Sequence, residues 1–189
     1  MDTLAVFCRQ VRARSDEHRK AIRLLHRESI LSQVVAILRQ ELDSMIRVIY
    51  LLSIRDAAYR DQLIRASVEG HQWTTQDGNR HITDREMVDL SNRLQGWTRS
   101  VYRFGCAFIH LSGFHDYQER DPVDLISEDE REAILEHMRA YHGGPMEDNP
   151  KLEDLESYLP MVFNKIADNL ECYVKYLEEG KTLYGDEAK

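Results

Sequence analysis

The sequence predicts an all-α protein, an antiparallel helical bundle of five to six helices. Three observations lead there. Only nine glycines and four prolines punctuate 189 residues, while Leu, Arg, Glu, Ile and Ala are plentiful, a composition that favours helix. Between Ser29 and Ile54, the residues Val34, Leu38, Leu42, Met45, Ile49 and Leu52 recur at spacings of three and four, the stripe of a long core helix. Thr83 with Glu86, and Ser127 with Glu130, have the spacing of capping boxes, which open helices.

The elements follow in order. Thr3 to Arg27 is helical in pattern and strongly basic, with Arg9, Arg12, Arg14, Arg19, Lys20, Arg23 and Arg27; the capping pair Ser15-Asp16 predicts a break within it. The second helix covers Ser29 to Ile54, and Asp56 to Val68 is either its continuation or a bent third helix. Glu69 to Ile82 reads as a loop, because Gly70, Asp77-Gly78 and Asn79 are turn residues. Thr83 then opens a helix that runs to Ser112 and stops at Gly113. Asp121-Pro122 marks a loop. Ser127 opens a helix that stops at Gly143-Gly144-Pro145, and the last helix, Lys151 to Glu179, is kinked or restarted at Pro160 and ended by Gly180. One domain accounts for the whole chain, 1–189: a basic N-terminal helix over 1–28, core helices over 29–112 and acidic helices over 113–189.

Composition narrows the class further. With 42% apolar and 31% charged residues, the chain has the balance of a globular domain and not of a disordered one. No apolar run is long enough to cross a bilayer, so no membrane partner is expected. The N-terminus lacks the basic and apolar regions of a secretory leader. Cys8, Cys106 and Cys172 are an odd, widely spaced set without a CxxC pair, which reads as reduced thiols in a cytoplasmic protein. The net charge of −8 is unevenly spread, with +4 over 1–66, zero over 67–115 and −12 over 116–189. The basic half is suited to guiding a phosphate backbone, whereas the acidic third reads as a solvated surface.

The segment Trp97 to Leu111 carries the main functional signal. At about 100° per residue, Trp97, Val101, Phe104, Phe108 and Leu111 form an apolar stripe about 80° wide. Arg99, Arg103, Cys106 and His110 cluster within about 60° on the opposite side. Two guanidiniums and an imidazole there, beside the small residues Gly105, Cys106 and Ala107, suggest a polar site that a second helix approaches closely. His115, Asp116 and Tyr117 follow the helix and are placed to line the same cleft. Cys106 reads as a small packing residue. Glu41 reads as either an exposed helix acid or a group orienting an arginine across the bundle.

Arg103-Phe-Gly-Cys-Ala-Phe-Ile-His110 is an Arg, six intervening residues and a His late in the chain. This resembles the R-x(4–6)-H signature of the HEPN superfamily, helical-bundle proteins of prokaryotic defence and toxin–antitoxin systems. Long preceding helices with Glu41 and Arg47 on the second are in keeping with it. Phe104 stands where the family usually has a polar residue, and Ser112 where members controlled by a nucleotidyltransferase have Tyr. The resemblance implies a metal-independent endoribonuclease without cofactor, its catalytic residues Arg103 and His110. It also implies a homodimer whose composite site uses both copies, and an antitoxin or regulatory protein as partner. Arg99, His115 and Tyr117 are candidate substrate-binding residues for RNA. The chemistry is coherent, because a histidine titrating near neutrality can move the protons of 2′-OH attack and an arginine fork can hold the phosphate oxygens.

Two rival readings come from other classes. A metal-dependent bundle enzyme lacks its signatures: there is no HxxxH, no HExxH and no paired Glu-x-x-His. His137 and His142 are five apart, which places them on different helix faces. The other rival is a non-catalytic helical module that dimerises or binds a protein or nucleic acid.

Overall fold

The computed structural model describes residues 2–117 and 119–184; Met1 and 185–189, the two ends of the single-domain reading, lie outside the described residues. Seven α-helices follow one another: α1 (Thr3–Arg27), α2 (Leu31–Ser53), α3 (Ala57–Val68), α4 (Asp84–Gln95), α5 (Thr98–Ile109), α6 (Glu128–His142) and α7 (Leu159–Glu178). The all-α bundle expected from the sequence is therefore present. None of the helices is long and apolar enough to cross a membrane, among the described residues.

α2 is the axis of the bundle. Fourteen of its 23 residues are buried, as expected of a helix that is apolar on most of its circumference. α1, α4, α5 and α7 all pack on it. The direction of packing is visible in side-chain pairs. Arg12 forks onto Glu171 and Glu178, Arg19 donates to Asn164 at 3.2 Å, and His26 Nε2 meets the Glu156 carbonyl at 3.1 Å. Rising numbers on α1 meet falling numbers toward and along α7, so these two run antiparallel. These pairs also resolve the charge asymmetry. Part of the basic first helix is spent on the acidic last helix, and the Arg12 guanidinium holds the Glu178 carboxyl below the usual carboxylate range.

Glu41 corrects the expectation of an exposed acid or of an arginine partner. It is 0% exposed, and its two oxygens accept from Ser15 Oγ at 2.5 Å and His18 Nδ1 at 2.6 Å. The break expected at Ser15-Asp16 does not occur, because Ser15 spends its hydroxyl on Glu41 instead of capping a new helix; α1 runs through unbroken. The buried arginine of the fold is Arg39, also on α2. Its guanidinium lies 3.4 Å from the Tyr102 ring centroid, and its Nε donates to Cys106 Sγ at 3.4 Å.

The helix expected over Thr83 to Ser112 is divided. Gly96 takes the left-handed region at φ 79°, ends α4, and donates its N–H to the Asn92 carbonyl at 2.8 Å. The Asn92 side chain then accepts from Arg99 N–H at 3.1 Å, so one residue serves both helices. A glycine costs a helix only about 1 kcal/mol, which is why the apolar pattern reads across it. The Thr83–Glu86 capping box forms as expected. The Ser127 box does not, since Ser127 makes no side-chain cap bond and Glu130 is drawn to Arg103. Pro160 lies in the first turn of α7, where no intrahelical donor is lost, so of the two alternatives it restarts the helix and does not kink it.

The small residues of α5 do admit a close neighbour, and it is α2 of the same chain. A methyl group on Gly105 would lie 2.5 Å from Arg39 Cβ and 3.1 Å from its Cγ. Gly105→Ala is expected to lower stability by about 1–3 kcal/mol in urea unfolding, through overpacking that outweighs the gain in helix propensity. Gly113→Ala, whose methyl meets only Leu125 Cδ1 at 4.0 Å, is the control. Equal midpoints for the two variants would contradict the close approach.

Candidate nucleic-acid interface

α4 folds back beside α5 because the chain turns at Gly96. Between them lies an open groove of about 450 Å³ lined by Arg85, Val88, Asp89, Arg99, Tyr102 and Arg103. Two expected site residues, Arg99 and Arg103, therefore meet in one place. Arg85 was missed by sequence reasoning; its signal is its position in the first turn of the helix that Thr83 caps, on a helix whose fold back onto α5 only the break at Gly96 creates.

The groove is held by side chains that face inward. Tyr102 rests on the Arg39 guanidinium and donates its hydroxyl to Asp84 at 3.1 Å. Burial pushes the Tyr102 hydroxyl up to about 12, so it stays a neutral donor. Arg99 Nη2 donates to Asp89 at 2.9 Å, with Arg85 Nε 3.9 Å from the same carboxylate. Arg103 is exposed and donates to Glu130 of α6 at 2.7 Å. Three guanidiniums thus share the groove with one lining carboxylate. Exposed pairs of this kind contribute under about 1 kcal/mol, so a phosphate can displace them.

His110 corrects the helical-wheel expectation. α5 ends at Ile109, and His110 is the C-cap in an extended conformation, φ −103° and ψ 143°. Its ring no longer follows the 100° rule and is not part of the groove lining. It is exposed, and its side chain has no polar partner among the described residues. Leu111 leaves the apolar stripe for the same reason and is 96% exposed. Phe108 and Trp97 are buried as expected. Cys106, expected to be a packing residue, also accepts the Arg39 hydrogen bond.

His115 and Tyr117 do not join Arg99 and Arg103. His115 Nδ1 accepts from Ser112 N–H at 3.4 Å and so closes a 3₁₀ turn over Gly113–His115. Its ring packs edge-on to Phe108 and Tyr117. Tyr117 lines a separate open depression of about 830 Å³ with Ser29, Arg120, Asp121 and Lys151.

A second cluster lies under the other side of α5. His137 and His142, expected on different faces of α6, both line one cavity. Lys165 Nζ of α7 is 3.2 Å from His137 Nε2. Burial, with the nearby Lys165 and His142, lowers His137 from 6.5 to about 4. Between those values the unfolded chain binds more protons than the folded one, so stability is full above about pH 6.5 and falls as pH drops toward about 4. The urea midpoint is expected to fall between about pH 7 and pH 5, less steeply in His137→Gln. An unchanged slope in that variant would contradict the assignment. Among the described residues no three His, Cys, Asp or Glu side chains are arranged to hold a metal ion.

The fold and groove define a helical-bundle protein with an arginine-lined interface. No family model, curated protein or solved structure matches the chain.

Proposed function

We propose that this chain is a HEPN-like, metal-independent endoribonuclease acting on RNA in the cytoplasm, with the α4–α5 groove as the phosphate track and His110 as the proton-transfer group. The observation that carries this reading is the meeting of Arg85 of α4 with Arg99 and Arg103 of α5 in one groove, α5 being followed by the exposed His110, which has no polar partner among the described residues. Guanidinium forks suit phosphate oxygens, and three along one groove follow a backbone without reading bases.

In the reaction, the ribose 2′-oxygen attacks the adjacent phosphorus and the P–O5′ bond breaks, leaving a 2′,3′-cyclic phosphate and a 5′-hydroxyl. One imidazole takes the 2′ proton and an acid gives one to the departing 5′ oxygen. Arg103, released from Glu130, stabilises the added charge on the phosphorane oxygens. Ile109 and Leu111, 44% and 96% exposed on either side of His110, are the surface across which a second copy docks, so that its His110 supplies the other proton transfer. An antitoxin or regulatory protein would act by covering this end of α5. Three widely spaced cysteines without a CxxC pair suit a reducing compartment.

The test is a single-stranded RNA beside the DNA of the same sequence. Cleavage of the RNA alone is the expected result. Binding of both strands without cleavage favours the second reading, a non-catalytic interaction module, to which exposed Ile109 and Leu111 are equally suited.

A further inference from the structure

Among the described residues, Tyr102 is the one aromatic side chain that lines the arginine groove. It is partly exposed, in contrast to Phe108 and Trp97 of the same segment, which are buried. Arg99 and Tyr102 are three residues apart on α5 and so are neighbours on one side of the helix. Beneath the ring lies the Arg39 guanidinium, 3.4 Å from the ring centroid. With that face covered, what Tyr102 turns to the groove is its other face and its edge.

The ring is fixed in place. Its hydroxyl donates to one oxygen of Asp84 at 3.1 Å, and the other oxygen of that carboxylate accepts from Arg47 Nη2, also at 3.1 Å. Arg47 is tied in turn to Asp43 at 3.0 Å. Arg39, under the ring, donates to Cys106 Sγ at 3.4 Å and lies 3.6 Å from Asp43. A side chain held in this way has little freedom left to lose when a ligand settles on it. Burial keeps the phenol neutral, so it brings no negative charge toward a phosphate.

We propose that Tyr102 is a stacking platform for an unpaired base of single-stranded RNA, whose phosphates lie along Arg85, Arg99 and Arg103. The proposal rests on the reading of this groove as the RNA track and adds the form of the substrate to it. Single-strand channels combine a cationic groove with aromatic rings, because every base has a π-face whatever its identity. Sequence-tolerant stacking therefore suits a groove whose guanidiniums follow the backbone. In a duplex the bases are stacked on one another, whereas a single strand can splay one out onto a ring. A residue that only packed on Arg39 could be any apolar side chain of similar size; a platform has to be a ring.

The test measures binding of the full chain to a labelled 2′-O-methyl RNA of about ten nucleotides, within the span of known single-strand sites, and to its abasic counterpart. Anisotropy is read at several salt concentrations. The wild type is expected to bind the abasic strand about tenfold or more weakly than the intact one. In Tyr102→Leu, which keeps an apolar cover over Arg39, affinity for the intact strand should fall by a similar factor and the abasic penalty should shrink to match. The salt slope should be unchanged in this variant, because no phosphate contact is lost. Tyr102→Phe keeps the ring and should bind as the wild type does. Equal binding of intact and abasic strands by the wild type overturns the proposal without recourse to a variant, and so does failure to bind either. An undiminished abasic penalty in folded Tyr102→Leu also overturns it, as does a changed salt slope, which would mean that Tyr102 serves to hold the arginines. Because a 2′-O-methyl strand has no 2′ hydroxyl to attack, binding is read apart from cleavage. Absence of RNA cleavage leaves the platform standing, while equal binding of both strands removes the platform and leaves the arginine track.

Discussion

His18→Leu is expected to destabilise the protein by about 3–5 kcal/mol, the cost of stranding a buried carboxylate after its partner is removed. Glu41 sits in the middle of α2 with no solvent exposure, and among the described residues only Ser15 and His18 donate to it. Neither oxygen can turn to water if one donor is lost. Glu41→Gln keeps the shape and one acceptor oxygen, so its cost is smaller, about 1–3 kcal/mol. The double variant His18→Leu, Glu41→Leu removes both polar groups together, and apolar replacement of a buried pair is often neutral. It should therefore recover most of the stability lost in His18→Leu. Urea unfolding of the wild type, His18→Leu, the single variant Glu41→Leu and the double variant closes the cycle and gives the coupling directly. Additive costs in the double variant would show that the pair is not the interaction that holds α1 to α2.

His110→Ala is expected to lower RNA cleavage about 1,000-fold, equivalent to about 4 kcal/mol of transition-state stabilisation. Because the imidazole has no polar partner among the described residues, the urea midpoint and RNA affinity should stay at their wild-type values. Arg103→Ala should lose rate and affinity together, since the guanidinium binds the phosphate before and during reaction. Its effect on stability should be small, as the Glu130 pair it loses is exposed. Arg103→Lys should not restore the rate, because an ammonium lacks the planar fork. Arg85→Ala, far from the proton transfer, should weaken binding uniformly and reduce the salt slope of binding by about one. Full cleavage by His110→Ala would remove the chemistry from this end of α5.

Much of the architecture was legible in the sequence. The α2 stripe, the Thr83 capping box, and Gly143 and Gly180 each place an element correctly, because all are local signals. The division at Gly96 was not legible, since Trp97, Val101, Phe104 and Phe108 keep a helical phase on the far side of the break. Gly96 folds α4 back so that Arg85 faces Arg99 and Arg103, while the extended backbone of His110 ends α5 at Ile109. Glu41 could not be read as buried, because its burial comes from α1 crossing α2, and Ser15 and His18 carry no mark of that crossing. Likewise Lys165 and His137 are 28 residues apart on different helices, and only packing brings them together. Arg12 with Glu171 and Glu178 shows the same limit for charge: the segmental imbalance was readable, but its partial neutralisation across the bundle was not.

The most direct measurement is the incubation of purified protein with single-stranded RNA in EDTA, with chemical analysis of the product ends and His110→Ala in parallel. The predicted result is 2′,3′-cyclic phosphate and 5′-hydroxyl ends from the wild type and about 1,000-fold less product from the variant. No cleavage by folded wild-type protein, or ends of another chemistry, would contradict the assignment of the Arg103–His110 end of α5 as a ribonuclease site.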